Sequence, residues 1–212
     1  MIVKSGYELP VFGAYPIMAF DERVLMPAMG YLFQPAWLDP QESIVSILWK
    51  FARMNLIAGH IMAGQLPVNP VDPYEGISAC RRHVNIRHLH HMLGLQMKLL
   101  RCSLLPETLH AISSPYFRYC TCCMRRGYHS VLYQIENVIH CPIHDTILST
   151  ACRICGQKAR YQLDAQLLDT PFRCSHCRHY YATCAPRFLD KKPLKLKWRV
   201  AVTRLRLHYF TN

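Results

Sequence analysis

The chain has 212 residues, of which 51% are hydrophobic, so a folded core is expected and a wholly disordered chain is excluded. Lys and Arg number 25 against 13 Asp and Glu, and the resulting net charge of +12 excludes an acidic scaffold. No apolar run approaches the roughly 18 residues that a membrane span needs. The first 25 residues also lack the apolar core of a secretion signal. We therefore expect a cytoplasmic protein without a membrane segment.

Residues 1–30 are rich in proline, glycine and aromatic side chains and show no regular periodicity. They predict an N-terminal arm, which either packs on something such as a partner chain or forms a loosely attached tail.

A helix is predicted to begin at residues 39–43, where Asp39 can cap it and Pro40 suits its first turn. Apolar residues then recur at i, i+3, i+4 and i+7, and Asn55 is a plausible end. A second short helix is predicted over 56–66. Two helices at this spacing allow a helix-turn-helix unit, although the low local charge disfavours a helix that recognises DNA. The apolar positions are Ile44, Ile47, Leu48 and Phe51.

A proline-rich connector over 67–77 precedes a basic helical stretch that runs to about Leu100 and is broken at Gly94. We assign residues 31–112 to a helical, helix-turn-helix-like domain. Its three neighbouring histidines predict a solvated polar face, because no acidic residue accompanies them.

The number and spacing of the 11 cysteines indicate what kind of site the second half of the chain forms. In a chain without an export signal, metal binding is favoured over disulfides. Eight Cys and His side chains form two sets, each with two pairs of ligands separated by two residues. The intervening segments of 17 and 18 residues have the length found in zinc ribbons. The first set is Cys120, Cys123, Cys141 and His144, and the second is Cys152, Cys155, Cys174 and Cys177.

The two-residue gap has a physical reason, because a tight turn can aim both side chains at one ion only if they are near neighbours. We predict two structural Zn²⁺ ions in tandem ribbons over 113–186, with Gly156 in the turn after Cys155 at a positive φ. Four protein ligands per ion leave no position for a reactive water. The β-branched and aromatic run 128–135 predicts a strand between the first two pairs.

Charge is distributed unevenly, since residues 1–79 carry a net −3 and residues 80–212 a net +15. The excess favours a polyanionic partner such as nucleic acid. In the basic segment 187–212, alternation over 195–209 predicts a strand or a basic amphipathic element. The alternative is a solvated tail. The candidate contacts for nucleic acid or a partner are Arg125, Arg126, Arg153, Lys191, Lys192, Lys195, Lys197 and Arg199.

Three stretches resemble the TniQ family of target-selection proteins in Tn7-like transposons, which includes the larger TnsD proteins. They span roughly residues 40–177. They are Pro40-x-Glu42-Ser43-x-x-Ser46-x-Leu48-x-x-x-Ala52-x-x-Asn55, Arg118-Tyr119-Cys120-x-x-Cys123 with Gly127-Tyr128-His129-Ser130, and Cys141-Pro142-Ile143-His144 through Leu148 to Cys152-x-x-Cys155-Gly156.

The resemblance implies a helix-turn-helix-like domain followed by tandem zinc ribbons and no catalytic role. It implies an adaptor that marks an insertion site and recruits an AAA+ ATPase, the transposition regulator. Some members recognise target DNA, and others dock on an RNA-guided CRISPR effector complex and often form homodimers there. Such a protein would be nucleoid-associated when it is bound to its target.

Two other classes of function are weighed against this one. An independent, sequence-specific DNA-binding regulator would use the ribbons and the basic tail directly. A zinc deaminase would need H-x-E with P-C-x-x-C and an open position on the metal, and a zincin-type hydrolase would need H-E-x-x-H. The sequence contains neither arrangement, so we expect no enzyme.

Overall fold

The computed structural model describes residues 31–189 and 192–210, so the predicted arm over 1–30 lies outside the described residues. The helices are α1 (Ile44–Asn55), α2 (Gly59–Gly64), α3 (Ile86–Leu93), α4 (Met97–Cys102), α5 (Thr121–Arg125), α6 (Ala165–Leu168) and α7 (Leu196–Phe210), the strands are β1 (Ile77–Ser78) and β2 (Gln162–Leu163), and 3-10 helices span Pro35–Trp37, Glu107–Ile112 and Val131–Gln134. This is a small α+β protein, as predicted.

Helix α1 is the central element of the fold. Every residue over 44–52 is buried, so the helix is enclosed on all sides and not only along the predicted apolar face. Near its middle, Trp49 donates from Nε1 to the Leu167 carbonyl at 2.7 Å. The same indole packs against Phe117 and Phe172, with ring centroids 5.4 and 5.0 Å away. Segments from the second half of the chain therefore complete the surroundings of α1.

The start of α1 corrects the predicted cap. Ser43 is the N-cap, because its Oγ accepts a hydrogen bond from the Ser46 N–H at 3.2 Å. Asp39 lies outside the helix, and its carboxylate pairs with Arg126 at 3.1 Å. The helix ends at Asn55 as predicted, and the next residue adopts a left-handed conformation.

A buried charge pair connects α1 to the segment before it. Lys50 and Glu42 form an ion pair with both side chains almost completely buried. Lys50 also donates to the Trp37 carbonyl at 2.6 Å, and Ser46 Oγ donates to Glu42 Oε1 at 2.6 Å. These bonds satisfy the charges, which lowers the cost of removing them from water.

The second helix is shorter than the predicted 56–66, and α2 packs closely on α6. A Cβ at Gly59 would lie 2.2 Å from the Ala165 carbonyl oxygen, so only glycine permits this approach. Strands β1 and β2 pair antiparallel nearby. The predicted break at Gly94 is confirmed, since it caps α3 at φ 64° before α4 begins.

Two other predictions of local structure need revision. The strand expected over 128–135 was wrong, because this segment contains a 3-10 helix and is buried at every position. The β-branched and aromatic composition does not produce a strand here, because the backbone makes isolated bridges at Ser130 and Ile135 and no continuous strand pairing. The segment for which alternation predicted a strand or an amphipathic element forms the 15-residue helix α7.

Residues from both sides of the predicted boundary at 112/113 share one hydrophobic core. In the part of the chain that the structure describes, no helix combines the length and the apolar character that a membrane crossing requires.

Candidate metal centres

Three of the four ligand pairs lie in hairpins with the same backbone hydrogen bonds. In the first hairpin, the Cys141 N–H donates to the Thr146 carbonyl and the Cys141 carbonyl accepts from the Asp145 N–H, both at 2.8 Å. The hairpins that begin at Cys152 and Cys174 repeat both bonds at 2.8 to 2.9 Å. One turn geometry therefore aims three pairs of side chains.

The residue after the second ligand of each hairpin has a positive φ. The angle is 53° at Asp145, 73° at Gly156 and 61° at Arg178. The prediction for Gly156 is confirmed. Aspartate tolerates this region better than most residues, whereas arginine adopts it at some cost, because its Cβ is crowded there.

The fourth pair is held by a helix. Cys120 is the N-cap of α5 and Cys123 lies within its first turn. The chain then turns at Gly127, and the Tyr128 N–H returns to the Cys123 carbonyl at 3.0 Å.

The first cluster contains Cys120, Cys123, Cys141 and His144, whose ligand atoms all lie within 4.8 Å of one another. His144 Nδ1 is 3.5, 3.3 and 3.7 Å from the three sulfur atoms in chain order. The sulfur atoms of Cys123 and Cys141 are 3.7 Å apart. All three cysteines are buried, and the histidine is half-buried.

The second cluster contains Cys152, Cys155, Cys174 and Cys177 within the same limit. Sulfur separations are 3.6 Å between Cys152 and Cys177 and 3.7 Å between Cys155 and Cys174. The cluster lies nearer to solvent, because Cys155 is exposed and Cys177 is half-buried.

The geometry of both clusters fits a tetrahedral ion. Metal–sulfur bonds of about 2.3 Å place the sulfur atoms of a tetrahedral site about 3.7 Å apart. The sulfur separations of 3.6 to 3.7 Å match this value. Each cluster could therefore hold one metal ion with four protein ligands. The structure brings all eight predicted residues together in the two predicted groups.

Two hydroxyl groups contact the thiols of the first cluster, and the sequence interpretation missed both. Tyr133 OH lies 3.0 Å from Cys123 Sγ and 3.2 Å from Cys141 Sγ. Thr146 Oγ1 lies 3.3 Å from Cys120 Sγ. Burial raises the pKa of Tyr133, so the phenol stays protonated and can donate a hydrogen bond to a thiolate. The available signal was the position of Tyr133 between two ligand pairs.

Helix α7 also lies against the first cluster. The Trp198 ring centroid is 6.0 Å from that of His144. Farther along the helix, Arg206 donates to Gln41 Oε1 and to the Cys102 sulfur, the latter at 3.1 Å. The basic C-terminal segment is therefore packed against the fold along part of its length.

A buried polar network joins α1 to the segment that carries the first ligand pair. The Arg118 carbonyl accepts from His129 Nε2 at 2.7 Å, which leaves Nδ1 to accept from Ser43 Oγ at 2.6 Å. Burial lowers the pKa of His129 to about 3, so the imidazole is neutral in this network. Arg118 itself donates to the Ile135 and Val138 carbonyls at 2.6 and 2.7 Å.

The predicted partner contacts occupy different environments. Arg126 is engaged internally, because it pairs with Asp39 and donates to the Lys192 carbonyl. Lys191 lies outside the described residues. Six others are exposed, namely Arg125, Arg153, Lys192, Lys195, Lys197 and Arg199.

The four cysteines outside the clusters have separate surroundings. Cys80 is buried with its sulfur 3.2 Å from His83 Nδ1, and Cys102 contacts Arg206. Cys122, between two ligands, is exposed, and Cys184 is half-buried.

Comparison with known proteins adds no assignment. No protein-family model matches the chain. No curated protein matches it either.

Proposed function

We propose that this chain is a non-enzymatic target-selection adaptor of a Tn7-like transposon, a class that includes the CRISPR-associated transposons. It would bridge target DNA or an RNA-guided effector complex to the AAA+ transposition regulator. Two structural Zn²⁺ ions would hold the part of the chain that presents these contacts.

The observation that carries the proposal is the direct contact between the stretches that resemble TniQ proteins. Glu42 and Ser130 form an antiparallel bridge, and the Ser43 N–H donates to the His129 carbonyl at 2.8 Å. The side chains of Ser43 and His129 bond as well. These motif residues are 86 or more positions apart in the sequence. Because they pack against each other in the fold, their joint presence in one chain has a structural reason.

Zinc is the ion that best fits the donor sets. One cluster offers three thiolates and an imidazole, and the other offers four thiolates, both in the tetrahedral arrangement that zinc adopts in structural sites. Thiolate ligands disfavour Mg²⁺ and Ca²⁺, which prefer oxygen. Closed coordination supports a role in holding the fold, because no position remains for a substrate or a nucleophilic water.

The adaptor would act by positioning. Exposed basic residues provide a surface for a polyanion: Arg125 at the end of α5, Arg153 in the hairpin that begins at Cys152, and the basic residues along α7. Binding two partners at once raises the local concentration of one near the other. The helix-turn-helix-like character of 31–112 and the homodimer stay predictions within this proposal.

The test is co-purification of the tagged chain with the AAA+ regulator, with and without the guide-RNA complex or target duplex. We expect stable assembly only when a target component is present. The variant Lys195→Gln/Lys197→Gln/Arg199→Gln removes three exposed charges, so it should stay folded but assemble more weakly than the unsubstituted chain. No assembly in any combination would contradict the adaptor role.

The alternative, an independent DNA-binding regulator, makes a different prediction for the purified chain alone. It requires tight binding to a chosen duplex over random duplex at physiological salt. The adaptor requires weak binding without sequence preference, which falls steeply as salt rises. A salt titration on both duplexes separates them.

A further inference from the structure

Two adjoining clefts beside the C-terminal end of α1 are lined by arginines. One cleft, of about 290 Å³, has Arg53, Arg173 and Arg178 in its wall together with Tyr180. The other, of about 510 Å³, lies between Arg53 and Arg187. Arg53 belongs to both, so the clefts form one surface with four guanidinium groups, which we call the arginine cleft.

The arginine cleft has an excess of positive charge. Asp169 is the one acidic residue among those that line it, and it pairs with Arg178 at 3.1 Å. Both side chains of this pair are largely exposed, so water screens their attraction and an incoming anion can compete for the guanidinium.

Arg173 is held in a fixed orientation. Its guanidinium carbon lies 4.1 Å from the centre of the Tyr180 ring, and Nη2 donates to the Tyr180 hydroxyl at 2.6 Å. Stacking and hydrogen bonding together restrict the side chain before any ligand arrives, so less conformational entropy is lost on binding.

We infer that the arginine cleft binds the phosphate groups of a nucleic-acid backbone. Guanidinium groups match phosphate oxygens with paired hydrogen bonds, and a neighbouring aromatic ring is typical of surfaces that hold nucleic acid. The clefts are open to solvent and are not enclosed cavities, so a polyanionic chain can pass over them. The inference deepens the proposed adaptor role and rests on its contact with nucleic acid, because it assigns that contact to arginines that the proposed function does not name.

The test compares two triple variants that lose the same charge. Arg53→Gln/Arg173→Gln/Arg178→Gln removes three of the four arginines of the arginine cleft, and Arg82→Gln/Arg87→Gln/Lys98→Gln removes exposed charges elsewhere. Binding to labelled single-stranded DNA of about 30 nucleotides and to a labelled duplex of about 30 base pairs would be measured by fluorescence anisotropy from about 50 to 300 mM KCl. For the cleft variant we expect a Kd at least about tenfold higher at 100 mM KCl and a salt slope smaller by about 2. The control variant should stay within about twofold of the unsubstituted chain.

Two further measurements guard against misfolding and against a different ligand. The double variant Arg53→Gln/Arg178→Gln leaves the Tyr180 contact intact, and thermal unfolding checks that each variant folds. Arg173→Lys keeps the charge but loses the planar fork, so it should also weaken binding. Equal losses in the cleft and control variants, or no loss in either, would overturn the inference. Competition by polyglutamate as effective as that by DNA would overturn it in favour of an acidic peptide. Failure here leaves the co-purification result unaffected, so the two proposals are tested separately.

Discussion

The two metal clusters share ligand spacing and hairpin geometry but differ in their surroundings. The cysteines of the first cluster are buried and receive hydroxyl contacts, and α7 covers its histidine. The second cluster has an exposed and a half-buried cysteine. The contrast indicates that the same local motif can be part of a core or can hold together a peripheral segment, depending on what packs around it.

The difference has an energetic consequence. Around the first cluster, Tyr133 and the network at His129 connect the ligands to α1. Around the second, the connection runs through Phe172 and Tyr181, whose rings pack on Trp49. Loss of the first ion should therefore disturb the whole molecule, and loss of the second should act mainly on one side of it.

The largest effect is expected for Cys120→Ser in the first cluster. Metal binding supplies roughly 10–16 kcal/mol in small zinc modules, which is comparable to the whole free energy of unfolding of a typical domain, roughly 5–15 kcal/mol. We expect loss of one ion per chain and of the cooperative thermal transition. Elemental analysis and calorimetry measure both. Two ions per chain with an unchanged melting temperature would contradict the assignment.

Cys155→Ser in the second cluster is expected to have a smaller effect. It should also remove one ion, but the buried surroundings of Trp49 should keep their near-ultraviolet circular dichroism. We expect the free energy of unfolding to fall by about 2–4 kcal/mol, toward the upper end of the effects of single substitutions. Complete unfolding of this variant would remove the distinction between the clusters.

Tyr133→Phe tests the hydrogen bonds to the thiolates. Removing the donor should cost about 1–2 kcal/mol of stability and speed metal release from the first cluster roughly tenfold. Release to a chromogenic chelator resolves the two ions as separate phases. Tyr116→Phe removes the same hydroxyl group from a ring that is 40% exposed and belongs to neither cluster, so this matched control should leave both phases unchanged.

The smallest effect is expected for Trp198→Ala. Removing a half-buried ring beside His144 should cost about 1 kcal/mol and speed release from the first cluster only. Leu196→Ala, whose side chain is 68% exposed on the same helix, is the control. Faster release from the second cluster would indicate that α7 stabilises the molecule as a whole.

Local spacing was sufficient to predict the grouping of the eight candidate ligands and the position of α1. A two-residue gap between ligands specifies a turn regardless of the rest of the chain, and apolar spacing over 44–55 specifies a helix face. The predicted strand over 128–135 was wrong because the backbone partner of Ser130 is Glu42, far away in the sequence, and the chain forms a 3-10 helix directly after this bridge.

The partners of the buried side-chain hydrogen bonds could not be predicted from the sequence either. Nothing adjacent to Ser43 indicates that its hydroxyl will meet His129. The position of Tyr133 between two ligand pairs is a signal, but it does not specify which sulfur atoms its hydroxyl contacts. In α7 the apolar residues lie on two faces: Val202 is buried and Leu196 is exposed, so alternation gave a wrong impression of periodicity.

The hydrogen bond between Trp49 and the Leu167 carbonyl has a consequence for folding during synthesis on the ribosome. The two residues are 118 positions apart. At about 5–20 residues per second, a ribosome needs roughly 6–24 s to add that length. Throughout that time the nascent chain carries an apolar helix whose last partners, Leu167 and Phe172, have not yet been synthesised, which leaves time for aggregation or for chaperone binding.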